Sequence, residues 1–299
     1  MMKKTELNLP NLLVIGGQKC GSTWIHRKLS LHNKCFMSKV KELTFFLKKE
    51  ELHDIAEYAS NFQIDKSLYQ YYGESTPVYL WTYDENAAYC KYSYGNKNIA
   101  ASIRKTLGPE LKIVISLRNP VDRALSAYLH HFKNGRFRGN ESILEVGDQY
   151  GIIDMGFYKR HLAHWFKYYP IENFSFVFFD DIKKDPLATL FNLLTELNLE
   201  NDFSRLPNVS RQNNPGFSLK VVNDCITIDM ESLKKLNENA FIKNIANLQD
   251  DYIIPLIHID EFKKLKEIYR SDNEYIMRLL NRHDLNWNDN IDLESFLNN

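Results

Sequence analysis

One segment constrains this chain more than any other: Leu12-Leu13-Val14-Ile15-Gly16-Gly17-Gln18-Lys19-Cys20-Gly21-Ser22-Thr23. Its continuous apolar run ends on two glycines, the pattern of a strand buried on both faces of a parallel sheet. The residues from Thr23 to Leu31 can then form a helix. A strand that passes through a glycine-rich turn into a helix leaves backbone N–H groups at the helix N-terminus, where the dipole favours an anion. With Lys19 beside them, these groups suit a phosphate or a sulfate. The order is not that of a Walker A loop, which sets Lys directly after the last Gly, whereas Lys19 stands two residues before Gly21.

The same alternation recurs downstream. Lys112-Ile113-Val114-Ile115-Ser116-Leu117 reads as a second strand and meets Arg118-Asn119-Pro120, in which Asn119 can cap a helix and Pro120 can be its first residue. Val121, Leu125, Tyr128, Leu129 and Phe132 then mark one apolar face, and Asp122 and Ser126 share another. A third unit joins a helix carrying Tyr158, Leu162, Trp165, Phe166 and Tyr169 to a strand over Phe174 to Phe179. Asp185-Pro186 starts a further helix, with Leu187, Leu190, Phe191, Leu194 and Leu197 expected inward. Strands alternating with helices predict an α/β fold of three layers, a parallel sheet between helices, with ligands at the carboxyl ends of the strands. From about residue 200 the sequence turns polar and Asn-rich, and the pattern recovers from Asp260 to Asn281. Ser271-Asp272-Asn273-Glu274 has the form of a capping box there, so this tail reads as helices packed on the same core. No repeat or linker divides the chain, and one domain over 1–299 is expected.

Charge and cysteine usage narrow the partners. The 38 basic residues cancel the 38 acidic ones, which argues against nucleic acid or an anionic membrane as the main partner. Cys20, Cys35, Cys90 and Cys225 form no C-x-x-C pair, poor spacing for zinc or a disulfide framework, so a reduced, cytoplasmic setting is expected. The only apolar stretch near the start is too short for a signal segment, and no run is long enough to span a membrane.

The placement of Lys19, followed by Gly21-Ser22-Thr23-Trp24, resembles the phosphosulfate-binding loop of sulfotransferases that use 3'-phosphoadenosine 5'-phosphosulfate, PAPS. Leu117-Arg118-Asn119-Pro120-Val121-Asp122-Arg123-Ala124-Leu125-Ser126 is similar to that family's segment for the 3'-phosphate. Arg118 offers a planar fork of donors and Ser126 a hydroxyl, in keeping with that role. Gly156-Phe157-Tyr158-Lys159-Arg160-His161-Leu162, Phe178-Phe179-Asp180-Asp181-Ile182 and Tyr269-Arg270-Ser271-Asp272-Asn273-Glu274 also look like segments of bacterial and carbohydrate-type members. The resemblance covers roughly residues 11 to 287 and implies the P-loop-like sulfotransferase fold. It implies a PAPS site made by Gly17, Lys19, Cys20, Gly21, Ser22, Thr23, Trp24, Arg118 and Ser126, with adenosine 3',5'-bisphosphate as product and no metal. Arg211, in Arg211-Gln212-Asn213-Asn214-Pro215-Gly216-Phe217, falls where relatives fold basic residues over the nucleotide.

On the acceptor side, Lys41-Glu42-Leu43-Thr44-Phe45-Phe46 resembles the stretch of heparan-sulfate-type sulfotransferases in which a Glu ahead of a Phe pair is the catalytic base. Glu42 takes that position. Gly73-Glu74-Ser75-Thr76-Pro77-Val78-Tyr79 is similar to the acceptor-side segment. Lys41, Thr44, Ser75 and Thr76 are therefore candidate acceptor contacts. Thr44 stands where several relatives have His and Ser75 where they often have Lys, which points away from a highly anionic acceptor. The acceptor itself is expected to be a carbohydrate or a small molecule.

Sulfuryl transfer asks for a base on the attacking hydroxyl or amine and a positive group on the leaving oxygen. Glu42 and Lys19 fit those two tasks. His130 and His131 lie beyond Ser126 and read as structural, and His26, His161 and His164 show no metal-ligand spacing with carboxylates or Cys. Two other readings stay open from sequence. A P-loop kinase or NTPase would use Phe174 to Asp181 as a Walker B strand, and a non-catalytic nucleotide- or carbohydrate-binding module would keep the fold without turnover.

Overall fold

The computed structural model describes residues 7–137, 141–201, 219–222, 225–228 and 255–288. In chain order its regular elements are β1 (Leu12–Gly16), α1 (Ser22–Ser30), β2 (Cys35–Met37), α2 (Ile55–Ala59), β3 (Tyr71–Ser75), α3 (Ile99–Leu107), β4 (Lys112–Leu117) and α4 (Pro120–Lys133). They continue as α5 (Ile143–Val146), α6 (Tyr158–Trp165), β5 (Phe174–Phe178), α7 (Phe179–Lys184), α8 (Pro186–Glu196), β6 (Leu219–Val222), β7 (Cys225–Ile228), β8 (Pro255–His258) and α9 (Ile259–Leu279). The chain divides into two compact units. One holds Met1–Tyr83, Ser93–Arg118 and Arg160–Gln212, and the other Asp84–Tyr92, Asn119–Lys159 and Asn213–Asn299.

The first unit carries a five-stranded sheet in the order β2-β3-β1-β4-β5, with every pairing parallel. Every residue of β1 is buried, which is why its sequence is apolar without alternation. Leu12 and Val14 of β1, Val114 of β4 and Val177 of β5 pack with Ile25 and Leu29 of α1, with Leu190, Leu193 and Leu194 of α8 and with Leu197 just after it. Each such aliphatic side chain contributes about 1.5–3 kcal/mol when fully buried. The Asp185 side chain caps α8 by accepting the N–H groups of Leu187 and Ala188, with Pro186 following as expected. Leu187 is a correction: it is 42% exposed in the first turn of α8, and Leu193 is buried on the inward face in its place.

Two of these strands could not be read from hydropathy. β2 is Cys-Phe-Met and β3 is Tyr-Tyr-Gly-Glu-Ser, too short or too polar to stand out, and their membership is fixed by pairing with β1. All five strands run the same way, so their carboxyl ends share one edge of the sheet.

The second unit is built on α4 and α9. Val121, Leu125, Tyr128 and Phe132 of α4 pack with Phe262, Leu265 and Tyr269 of α9, and Asn119 caps α4 by accepting the Val121 N–H at 3.0 Å. The buried Arg123 donates to the Ile152 carbonyl, and the Tyr269 hydroxyl donates to Ile153 O at 2.6 Å. The tail departs from expectation in two ways. Residues 219–222, 225–228 and 255–258 form an antiparallel sheet in the order β6-β7-β8 where helices were expected, in keeping with the β-branched Val221, Val222, Ile226, Thr227 and Ile228. The capping box at Ser271 does not form, because α9 runs unbroken through it. The cap sits at His258 and Glu261 instead, and the Asp272 carboxylate accepts the Lys159 N–H at 2.9 Å.

Candidate active site

The turn after β1 is shaped by contacts that admit only glycine. Gly16 has φ 149°, and a Cβ there would lie 2.3 Å from the Ser116 carbonyl oxygen of the adjacent β4. Gly17 N–H then bonds that same carbonyl at 3.2 Å, turning the chain off the sheet. Lys19 follows in the left-handed region at φ 72°, and Gly21, at φ 95°, opens α1. A left-handed backbone at a residue with a side chain costs on the order of 1–3 kcal/mol and is found where the surroundings impose it. No side chain caps α1 and no acidic residue stands in its first turn, so the positive end of its dipole is left to an incoming anion. The Cys20 thiol is fully buried, with Sγ 3.9 Å from Gln18 O, so this residue can offer a ligand only its backbone. Ser22 is also buried, Trp24 half-buried and Thr23 exposed.

Arg118 emerges from the end of β4 beside this loop. Its guanidinium lies 4.6 Å over the Phe179 ring, and Nη1 donates to Lys19 O at 3.5 Å. Stacking on an aromatic face orients the planar fork. Lys19 and Arg118 thus stand together at the carboxyl ends of β1 and β4, where the fold rule places ligands. Asp180 and Asp181, the acids of the Walker-B-like run, lie in the first turn of α7, where negative charge favours the helix dipole.

The acceptor-side segment is also built on left-handed residues, Glu42 at φ 64° and Thr44 at φ 57°. Glu42 N–H bonds the carbonyl of Ser75, the last residue of β3, at 3.0 Å. Its side chain is half-exposed and forms an ion pair with Lys41. Beyond Thr44, Phe45, Phe46 and Leu47 turn inward and are buried. Phe45 stacks on Tyr58 with centroids 4.4 Å apart, and Phe46 meets the Tyr79 ring edge-on at 5.6 Å. These rings anchor the segment while Glu42 stays open to solvent.

Sequence reasoning missed the residue beneath this segment. Glu74 of β3 is completely buried and accepts from the hydroxyls of Tyr58 at 3.0 Å, Tyr79 at 3.1 Å and Thr76 at 2.6 Å. Burial pushes its carboxyl above the usual range, and these bonds pull it back. Burial, and the carboxylate beside them, raise the Tyr58 and Tyr79 phenols, which therefore stay protonated as donors. The available signal was a lone Glu in a short polar strand with tyrosines nearby in sequence. Thr76 commits its hydroxyl to Glu74, and the buried Ser75 hydroxyl meets no hydrogen-bond partner among the described residues.

The other predicted residues fall elsewhere. Ser126 is half-buried on α4, in the second unit. His131 is buried, accepts from Arg136 at 2.6 Å and stacks on Tyr150 at 4.8 Å, while His130 meets the Asn134 side chain at 3.2 Å. Both contacts suit a structural role. Arg211 lies outside the described residues. Among those residues no cluster of His, Cys, Asp or Glu could hold a metal ion, and no helix is long and apolar enough to cross a membrane.

A parallel sheet with an uncapped helix N-terminus, a left-handed Lys and a stacked Arg at its carboxyl edge is an arrangement chemically suited to phosphate or sulfate esters. The comparisons with known proteins make this specific: residues 9–203 match the model of the sulfotransferase domain, and the chain belongs to that PAPS-dependent family. It is 29% identical over 211 residues to the bifunctional heparan sulfate N-deacetylase/N-sulfotransferase 1 of Caenorhabditis elegans, covering 65% of this chain and 23% of that protein. It is 24% identical over 290 residues to the mouse heparan sulfate glucosamine 3-O-sulfotransferase 5, covering 93% of this chain and 74% of that one. The chain thus spans about a quarter of the length of the bifunctional relatives it matches. Among solved structures, a sulfotransferase from Alicyclobacillus acidocaldarius superposes with a TM-score of 0.54 at 21% identity, over 81% of this chain and 97% of that one, and shares the fold.

Proposed function

We propose that this chain transfers a sulfuryl group from PAPS to a hydroxyl or amine of a glucosamine-containing carbohydrate acceptor, with Glu42 as general base and Lys19 at the leaving oxygen. One observation carries the reading. Lys19 and Glu42 are both held on left-handed backbone, one after β1 and the other tied to the end of the adjacent β3. Strain of this kind persists only where surrounding structure imposes it, and it clusters at reacting groups.

The residues present fit the donor. The open N-terminus of α1, Lys19 and Arg118 supply backbone N–H groups and two cations for its phosphate and sulfate oxygens. When bound, PAPS supplies the sulfuryl group and a phosphate leaving group. Glu42 accepts the proton of the attacking O–H or N–H as the new bond to sulfur forms. Lys19 stabilises the charge gathering on the bridging oxygen as the bond from that oxygen to sulfur breaks. The names of the relatives, one an N-sulfotransferase and one a 3-O-sulfotransferase, support a glucosamine-containing acceptor.

Calorimetric titration with adenosine 3',5'-bisphosphate, against ATP and 5'-AMP, tests the donor site. Selective binding of the bisphosphate is expected, and preference for Mg-ATP would return the kinase reading. Transfer of label from PAPS to glucosamine-containing oligosaccharides then tests turnover. Bisphosphate binding with no transfer to any acceptor would favour the non-catalytic module.

A further inference from the structure

Glu74 does no chemistry in the mechanism above, yet it is a fully buried carboxyl supplied with donors on both oxygens. For stability alone such a group is a poor choice, because well-packed apolar residues usually serve as well as buried charge. What a carboxylate can do is hold donors in place, and one donor here leads on to the segment that carries Glu42. The Tyr79 hydroxyl donates to Glu74 and also accepts the Phe46 N–H at 3.3 Å. Glu74 therefore grips the 42–46 segment through Tyr79, two residues beyond the left-handed Thr44. Tyr58 also donates to Glu74, but its hydroxyl has no bond to that segment's backbone.

We infer that Glu74 is a positioning residue whose buried carboxylate, through Tyr79, holds the strained 42–46 segment so that Glu42 is presented to the acceptor in one place. This rests on Glu42 being the base. Misplacing a reacting group by about 1 Å can cost on the order of a hundredfold in rate. The Glu74→Gln variant keeps the shape but turns one acceptor into a donor. With one acceptor fewer and the charge gone, the Tyr79 hydroxyl is held less firmly, and its bond to the Phe46 N–H loosens with it.

The test uses the full chain, labelled PAPS and a glucosamine-containing oligosaccharide, with Glu74→Gln, Tyr79→Phe, Tyr58→Phe and Glu42→Gln compared for kcat, bisphosphate affinity and thermal midpoint. Glu74→Gln and Tyr79→Phe are expected to lower kcat by about tenfold or more, leaving bisphosphate affinity within about twofold, with faster amide exchange at residues 43–46. Tyr58→Phe should lose thermal stability but keep kcat within about threefold, since it frees nothing in the segment. If kcat instead follows the thermal midpoint across all three, Glu74 is merely structural and the inference is overturned. If Glu74→Gln fails to fold, Tyr79→Phe, which keeps its ring, carries the same decision. A wild-type rate in Glu42→Gln would remove the base, and the inference with it. A slow Glu42→Gln beside a fast Glu74→Gln and Tyr79→Phe would overturn the inference alone.

Discussion

The donor loop at 16–21 and the acceptor segment at 42–46 both present a charged side chain on left-handed backbone, but they are held in opposite ways. The donor loop is shaped largely by its own glycines and by one neighbouring strand: Gly16 fits against Ser116, and Gly21 opens α1. The acceptor segment contains no glycine, and its conformation is imposed from residues distant in sequence. The Ser75 carbonyl and the Tyr79 hydroxyl bond its backbone, and the Asn96 side chain donates to Phe46 O at 2.9 Å. A loop shaped locally tolerates change elsewhere in the molecule. A loop held by remote bonds can be shifted by substitutions that touch neither substrate.

The largest effect that would break this comparison is chemical. Glu42→Gln should lower kcat by about 10²–10⁴-fold and Lys19→Ala by about 10²–10³-fold, the usual worth of a positioned base and an oxyanion donor. Steady-state rates with labelled PAPS decide it, and a rate near wild type removes that residue from the mechanism. Next, Arg118→Ala should weaken bisphosphate binding by about ten- to a hundredfold, from the loss of charge-assisted bonds worth about 1.5–3 kcal/mol. Calorimetry that shows unchanged affinity would contradict its assignment to the nucleotide.

Two smaller substitutions separate the loops directly. Gly21→Ala forces a side chain onto φ 95° with its Cβ 3.1 Å from both Ile182 and Phe179, and should cost about 1–3 kcal/mol, seen as weaker donor binding. Asn96→Ala leaves the Phe46 carbonyl short of a donor and should cost about 1–2 kcal/mol, raising the acceptor KM while donor affinity holds. Equal effects of both on the donor would mean the loops are not independently anchored.

The smallest effect lies in pH. Because burial raises the folded carboxyl of Glu74 above its ordinary 4.5, the folded state binds the proton more readily than the unfolded chain. Its contribution to stability is therefore fully present below 4.5 and is lost as pH rises through the raised folded value. Thermal melts of wild type and Glu74→Gln across that window should diverge with rising pH, and parallel curves would show that Glu74 does not titrate there.

Much of this was legible in the sequence where the determinants are local. The apolar runs of β1 and β4, the caps at Asn119 and Asp185, and the Lys19 loop all depend on residues within a few positions of each other. Legibility failed where a residue's state depends on distant partners. Ser271-Asp272-Asn273-Glu274 has the local form of a helix start, yet α9 passes through it, because its inward face from Phe262 through Tyr269 to Ile276 continues and Asp272 is claimed by Lys159. Leu187 has the right spacing for burial but lies exposed in the first turn of α8.

By itself, then, the sequence determined that strands alternate with helices and that a glycine-shaped turn into a helix follows β1, because glycine placement and apolar periodicity act over short distances. Only the tertiary structure decided that Glu74 is buried and where its bonds go. That strand carries no apolar run, and it enters the sheet by pairing with β2 and β1. The donors that surround its carboxylate come from Tyr58, Thr76 and Tyr79, and three-dimensional packing alone brings them to one point.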